Sequence, residues 1–293
     1  MLKLDKIILG HNPLFGVDHL NQARGNDKQL KFENKSALAD VLRFAHSKGI
    51  KAMMMSTHPR AQVVLDIVAN DPVLKDDFTI YPLLPYIVKY VRQANEKGMM
   101  NLLLDILSKT SMNQKFNMMF SGVKGVLGQN VHELIKLLID IEMLPFKGHK
   151  LGAIFLHDAL TDLAVGLGTD SVLDAFRDHV ESKFDVPAGL ITKNVPLLRG
   201  KLDDRGWSNY LIMASFNKTG FFVNPSLEET TKEVRRPGMY FIPMSTMAAG
   251  AISPDEAFSF LGEFETINSV VVGMSQKKHI SETVDIINKY IKG

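Results

Sequence analysis

Several absences narrow what this chain can do before any motif is considered. There is no cysteine, which excludes disulfide bonds, thiolate metal ligands and a cysteine nucleophile. The 34 lysines and arginines nearly balance the 32 aspartates and glutamates, so no basic excess points to nucleic acid as a partner. No stretch approaches the roughly 18 apolar residues of a membrane-spanning helix. The first residues also lack the long apolar core and cleavage site of a secretion signal.

These absences favour a soluble cytoplasmic protein that acts on a small-molecule ligand, with neither nucleic acid nor membrane as a partner and with its oligomeric state left open. Within the 293 residues, 45% are hydrophobic, which is enough to build a sizeable core. A single α/β barrel commonly takes about 250 residues, so one domain spanning residues 1–293 is the simplest organisation.

The chain contains a regular series of short apolar runs separated by helical segments. A continuous apolar run is typical of a parallel strand that is covered by helices on both faces. Strand–helix alternation of this kind predicts a closed (β/α)8 TIM barrel. The rival is an open doubly wound sheet, but the first strand is not followed by the glycine fingerprint G-x-G-x-x-G. The predicted strands are Lys6–Gly10, Lys51–Met55, Phe78–Leu84, Gly152–Leu156, Ala188–Thr192, Tyr210–Ala214, Tyr240–Met244 and Ser269–Val272.

The interval between the third and fourth predicted strands is too long for a simple connection. It runs from about residue 86 to residue 150 and carries predicted helices at Ile87–Ser108 and Val131–Ile141, with methionine-rich residues between them. A strand–helix unit does not need this much chain. We interpret it as a helical insertion, and covering the site is one role for it.

Polar residues follow most of the predicted strands, and in a barrel these strand ends carry the chemistry. His157 directly follows the fourth strand, so we expect its ring at the mouth of the barrel as a catalytic acid or base. The adjacent Asp158 could orient that ring, although direct neighbours on a continuing strand face opposite ways. His58 follows the second strand and is a second acid–base candidate. His11 and Asn12 follow the first strand and are candidates for binding substrate.

Two other readings of these strand ends stay open. Lys193, after the fifth strand, could contact an anion, face solvent or act as a catalytic nucleophile, in that order of preference. His11, His58 and His157 could together hold a divalent metal with one open coordination position. No H-x-H or H-E-x-x-H spacing supports the metal site.

The last strand leads into a candidate phosphate site. Gly273 and Ser275 precede a predicted helix at Gln276–Tyr290, and a helix N-terminus offers unpaired N–H donors and positive potential to an anion. Lys277 and Lys278 would add positive charge. The competing interpretation is an ordinary strand–helix turn, since such turns occur in every α/β protein.

At this point the motifs resemble those of the aldo-keto reductase superfamily over most of the chain. The segment AIFLHDA resembles the family's fourth strand, whose terminal histidine lines the active site and matches His157. GLITKN is similar to the fifth strand, where Asn194 would hold the nicotinamide amide. MASFN and MSTMAAG resemble the segments after the next two strands, through Asn217 and Ser245.

The resemblance extends to the C-terminal segment GMSQKKHISETV. In the family this segment holds the adenosine phosphate of the cofactor, and Gly273, Ser275 and Glu282 match it. The resemblance therefore implies a (β/α)8 barrel that uses NADP(H) to reduce a small carbonyl compound.

The catalytic residues of the family are only partly matched. Its Asp, Tyr and Lys are replaced by Met54, by a residue near Pro59 and by Leu83, which leaves His157 from the set of four. Reduction of a carbonyl still needs a proton donor, and His58 is the candidate next to the missing tyrosine. The alternatives are a non-redox hydrolase, lyase or isomerase, metal-assisted in one form, and a non-catalytic ligand-binding barrel.

Overall fold

Eight parallel strands form one sheet in the computed structural model, which describes residues 2–17, 30, 32–97 and 131–292. Consecutive strands pair from the first to the seventh, and the eighth pairs with the first. The seventh and eighth strands lie in contact at the seam, so the ring is nearly closed and the predicted (β/α)8 barrel is confirmed. The strands are β1 (Ile7–Gly10), β2 (Ala52–Ser56), β3 (Thr79–Leu84), β4 (Ile154–Leu156), β5 (Ala188–Ile191), β6 (Tyr210–Ser215), β7 (Met239–Met244) and β8 (Val270–Val272).

Helices cover the outside of this ring and connect its strands. Five of the described helices begin at a side chain that accepts free N–H groups of the first turn, as Asn34, Ser226 and Ser253 do, which is the usual N-cap chemistry. The helices are α1 (Asn12–Phe15), α2 (Lys35–Ser47), α3 (Ala61–Asn70), α4 (Ile87–Lys97), α5 (Val131–Met143), α6 (Asp158–Gly166), α7 (Ser171–Phe184), α8 (Val195–Asp204), α9 (Leu227–Arg235), α10 (Pro254–Leu261) and α11 (Lys277–Tyr290).

The helical insertion between β3 and β4 is confirmed in its described parts. It contains α4, α5 and a 3₁₀ turn at Leu144–Phe146. Residues 98–130, with the methionine-rich stretch and the end of the predicted helix Ile87–Ser108, lie outside the described residues. None of the helices within the described ranges combines the length and hydropathy that a membrane span requires.

Alternate side chains of each strand point into the barrel, because successive residues of a strand face opposite sides. The outward set packs against the helices and forms the larger apolar core. The inward set forms a second, separate cluster and includes two large rings, Tyr81 and Phe155. The inward apolar residues are Ile8, Ala52, Met54, Tyr81, Ala153, Phe155, Ile191, Leu211, Met213 and Ile242.

The two large rings fit inside the barrel because glycine occupies the facing position on the next segment. A Cβ at Gly189 would lie within 2.5 Å of Phe155 Cδ1, and one at Gly152 would overlap the ring of Tyr81. Contacts this close force side chains or backbone to shift. These glycines are therefore needed for packing.

We expect Gly189→Ala to lower the free energy of unfolding by about 1–3 kcal/mol, the usual cost of overpacking a core. Gly200→Ala is the matched control, because it lies in α8 with no atom within 4 Å of the added methyl group. That change should be neutral or stabilising, since alanine favours a helix. Urea unfolding of both variants measures the difference, and equal stabilities would contradict the packing argument.

The N-terminal end of the barrel is closed by the first residues of the chain. Tyr81 Oη donates to Asp5 Oδ2 at 2.7 Å, and the Leu2 amide donates to Tyr240 Oη at 3.0 Å. Both tyrosines point inward from the strands, so their hydroxyls hold the N-terminal segment across this end. The polar residues that follow the strands lie at the opposite end of the barrel, the C-terminal rim.

Candidate active site

A row of four rings lies along the rim after β1, β2 and β3. The centroids of His11 and Phe15 are 5.0 Å apart, Phe15 stacks on His58 at 5.1 Å, and Tyr86 meets His58 edge-on at 5.3 Å. His11 and Phe15 follow β1, His58 follows β2 and Tyr86 follows β3, and the parallel strands bring these three segments to one end of the barrel. His58 thus sits between two aromatic rings.

His11 holds the end of β1 against β2. Its Nδ1 lies 3.1 Å from the carbonyl oxygen of Met54, and its Nε2 lies 3.5 Å from Ser56 Oγ. A carbonyl oxygen only accepts, so Nδ1 carries the proton and Nε2 can accept from the serine hydroxyl. His11 is also the N-cap residue of α1. Pro13 lies in the first turn of this helix, and Gly16 ends it at φ 77°.

His58 is arranged as a neutral imidazole. Its Nδ1 accepts a hydrogen bond from the Arg60 amide at 3.1 Å, which places the proton of the neutral ring on Nε2. Burial between the aromatic rings lowers the pKa of His58, and the charge of Arg60 lowers it further. The ring is therefore uncharged at neutral pH, with an N–H available to donate to a ligand.

His157 begins α6 and contacts the carboxylate of its neighbour. Its Nδ1 lies 2.6 Å from Asp158 Oδ1 and 3.2 Å from the Ala159 amide. One nitrogen cannot donate to the first and accept from the second, and the shorter contact favours a proton on Nδ1. The expectation that Asp158 faces away from His157 is wrong, because the strand ends at Leu156 and a helix starts at Asp158.

Lys193, which follows β5, lies close to the carboxylate of Asp158. Its Nζ is 3.6 Å from Asp158 Oδ2, and the side chain is 69% exposed, so it faces solvent beside a carboxylate. Burial raises the pKa of Asp158, but the hydrogen bond and charge of His157 and the charge of Lys193 outweigh it and leave that pKa lowered. Behind them, Asp162 accepts from Thr192 Oγ1 at 2.5 Å, and burial together with the nearby Asp158 charge raises the pKa of Asp162.

The candidate phosphate site has an open helix start. Gln276 precedes α11 without a side-chain cap hydrogen bond, so its own side chain does not occupy the first amides of the helix. Lys277 lies over the Phe44 ring at 5.6 Å, and the exposed Lys278 pairs with Glu282 at 3.8 Å. Ser275 is buried. At Gly273 a Cβ would lie 3.0 Å from the ring of Pro13, so packing against α1 already requires that glycine.

The three remaining predicted cofactor residues hold loops. Asn194 caps α8 by accepting the Leu197 amide at 3.0 Å. The buried amide of Asn217 donates to the carbonyl oxygens of Phe221 and Ser245 and accepts from Thr219 and the Phe221 amide. Ser245 adopts φ 54° and accepts from Ser215 Oγ at 3.1 Å. Sequence reasoning did not identify these loop-holding bonds, since none of them is local to a strand.

A buried carboxylate, Glu142, also lies at this rim and was missed from the sequence. It accepts hydrogen bonds from Thr57 Oγ1, the Tyr86 amide, Lys89 Nζ and Tyr90 Oη. Burial alone would raise the pKa of Glu142, but these donors outweigh it and leave the pKa below its usual range. The predicted helix Val131–Ile141 ended two residues too early, just before Glu142; a glutamate in line with Ile135 and Ile139 was the available signal.

Two outcomes concern the chemistry that the sequence left open. Among residues 2–17, 30, 32–97 and 131–292, no three His, Asp or Glu side chains form a group able to hold a metal, so His11, His58 and His157 are not gathered as ligands. Met54 and Leu83, at positions of the family's Asp and Lys, belong to or pack against the apolar interior. The inward faces of β2 and β3 thus carry no charge at these positions.

Aldo-keto reductases are among the solved structures that match this fold, whereas no family model and no curated protein matches the sequence. A Pseudomonas aeruginosa protein assigned to the aldo-keto reductases aligns over 98% of this chain and 90% of its own, with a TM-score of 0.59 and 12% identity. An aldo-keto reductase from Bacillus halodurans in its holo form aligns over 89% and 84%, with a TM-score of 0.56 and 10% identity.

Aldose reductase from Giardia lamblia aligns over 98% of this chain and 88% of its own, with a TM-score of 0.54 and 10% identity. At such identities the likeness concerns the backbone. The resemblance that the sequence motifs predict is therefore confirmed for the fold, and the chain has the barrel architecture of aldo-keto reductases.

Proposed function

We propose that this chain is an aldo-keto-reductase-like oxidoreductase that binds NADP(H) at the rim and reduces a small carbonyl compound. The observation that carries the proposal is the placement of His157. It directly follows β4, where the resemblance puts the active-site histidine, and it contacts Asp158 at 2.6 Å. His58 follows the second strand of the same barrel, and both therefore belong to the C-terminal rim.

The residues around the start of α11 fit the phosphate end of such a cofactor. The side chain of Gln276 does not cap the first helical amides, and Lys277 and Lys278 are cations in the first turn. An anion there would meet N–H donors, the positive end of the helix dipole and two cations. Bound cofactor would supply the hydride that reaches the carbonyl carbon.

The two histidines would then divide the work on the carbonyl oxygen. His58, neutral with its proton on Nε2, can donate a hydrogen bond that polarises the carbonyl. His157 in its imidazolium form, with Nδ1–H held by Asp158, can supply the Nε2 proton that the reduced oxygen requires and is left neutral. This division assigns the proton to a histidine, where the family uses a tyrosine.

We expect NADPH to bind with increased fluorescence of its nicotinamide and a raised melting temperature, because a bound ligand stabilises the folded state. The protein's only tryptophan, Trp207, lies just before β6, at the opposite end of the strands from the rim. The fluorescence of the cofactor itself is therefore the better signal. Lys278→Ala should weaken binding about threefold to tenfold, less than a buried charged hydrogen bond would contribute.

Lys232→Ala is the matched control for this experiment. Lys232 also pairs with a glutamate four residues away on an exposed helix, at 2.8 Å from Glu228, but it lies on α9, outside the proposed phosphate site. The affinity of Lys232→Ala for NADPH should equal that of the wild type. An unchanged melting temperature and cofactor emission at millimolar NADPH would exclude the proposed cofactor.

A further inference from the structure

We propose that Glu142 is a positioning residue of the candidate active site, whose buried carboxylate fixes the two residues that hold the His58 ring. Those residues are Thr57, directly before His58 in the chain, and Tyr86, whose ring meets the His58 ring at 5.3 Å. The way Glu142 holds these residues is a property of the ligand-free chain. Only the purpose of holding them, which is to orient a catalytic ring, rests on the proposed function.

The carboxylate divides its hydrogen bonds between its two oxygens in a way that supports this role. Oε2 accepts from Thr57 Oγ1 and from the Tyr86 amide at 3.1 Å, which are the bonds on the His58 side. Oε1 accepts from Lys89 Nζ at 2.9 Å and from Tyr90 Oη, both on α4. One residue of α5 therefore connects the end of β2, the end of β3 and the start of the insertion.

The burial of a charged side chain at Glu142 indicates a role other than stabilising the fold. The Glu142 side chain is only 1% exposed, and a buried charge is commonly replaced by an apolar residue without loss of stability. The other buried residues along this helix are apolar, among them Ile135 and Ile139. A charge is retained at the one position of the helix where it reaches the segments around His58.

His58 is packed between several neighbours, one of which, Tyr86, is bonded to the Glu142 carboxylate. Phe15 stacks on one face at 5.1 Å, Tyr86 meets it edge-on, and the Arg60 amide donates to Nδ1. The charged or titratable groups near this corner are Arg60, His11 beyond Phe15, and Lys89 and Tyr90 on the far side of Glu142. If Thr57 and Tyr86 moved, the His58 ring would become more exposed to water.

The test is an NMR titration of ring-labelled histidines in the full chain without ligand, with the His58 signal assigned by its loss in His58→Gln. Glu142→Gln keeps the shape of the side chain but leaves one acceptor oxygen for four donors. We expect the pKa of His58 to rise toward its ordinary value, because burial is what lowers it. Removing a nearby negative charge without any movement would instead lower that pKa, so the two explanations differ in sign.

Two further variants keep the test informative if Glu142→Gln fails to fold. Thr57→Val removes a donor to Oε2 and should also raise the pKa of His58, whereas Tyr90→Phe removes a donor to Oε1 and should change it much less. Resonances of His157 and His179 should not move in any of the three. An unchanged or lowered His58 pKa in Thr57→Val, and in Glu142→Gln where that variant folds, overturns the positioning role.

The titration also separates this inference from the proposed function. It measures the ring directly and needs neither cofactor nor turnover. A raised His58 pKa together with no response to NADPH would leave the positioning role intact and remove the reductase. The reverse pair of results would keep the reductase and remove Glu142 from it.

Discussion

His157→Gln is expected to lower kcat/KM for NADPH-dependent reduction by about 10²–10⁴-fold, the usual contribution of a positioned acid or base. Glutamine can still donate a hydrogen bond from this position, but it cannot deliver a proton at neutral pH. The measurement is the initial rate over a panel of small aldehydes and ketones, followed by loss of NADPH absorbance. The affinity for NADPH should stay within about twofold, because the cofactor's phosphate would bind at α11.

His179→Gln is the matched control for that variant. His179 also contacts a carboxylate, with Nε2 at 2.7 Å from Asp140 Oδ1, but the pair joins helices α7 and α5 and is not at a strand end. It should leave kcat/KM unchanged. Equal rates for wild type and His157→Gln would show that the histidine after β4 does not supply the proton.

The effect at His157 should be large because β2 and β3 carry no charged side chain at Met54 and Leu83 to take its place. Met54 and Leu83 fill the interior where the family has charged side chains. His58 is held neutral by burial and by the Arg60 charge, so it donates a hydrogen bond more readily than a proton. In the proposed reaction, His157 alone therefore transfers the proton.

The strands and the rim could be predicted from the sequence because their signals are local. A short apolar run followed by a polar residue marks both a buried parallel strand and its C-terminal end. His58 and His157 were placed on the rim by that rule. The contact between His157 and Asp158 was considered from the sequence, but strand alternation argued against it, because the start of α6 at Asp158 carries no separate signal: the N-cap is the histidine itself.

The partners of the buried polar groups could not be read from the sequence. Glu142 binds groups from residues 57, 86, 89 and 90, and no periodicity relates such distant positions. Asn217 looked like a cofactor contact from its motif, yet its amide is fully occupied within its own loop and by Ser245. A polar residue at a strand end can be placed at the rim from the sequence, but its hydrogen-bond partners depend on how separate loops pack.

Arg199→Met is expected to lower the free energy of unfolding by about 3–5 kcal/mol, the range for removing one member of a buried charged pair. Arg199 is 2% exposed, and its guanidinium donates to the carbonyl oxygens of Glu233, Arg236 and Pro237. Its Nε also lies 3.4 Å from the Glu233 carboxylate. These carbonyls lie at the end of α9, with Glu233 in its last turn and Arg236 and Pro237 just after it, where a helix leaves acceptors unpaired and favours a cation.

Methionine fills much of the same volume but donates no hydrogen bond, so the buried carbonyls would lose their partners and keep the cost of burial. Arg236→Met is the matched control. Arg236 pairs with Asp203 and Glu233 at the surface, where an ion pair contributes about 1 kcal/mol or less. Urea unfolding followed by Trp207 fluorescence and by circular dichroism measures both variants. Similar losses in the two would mean that the buried guanidinium acts as one more surface charge, and that α9 is held to the barrel by its apolar face alone.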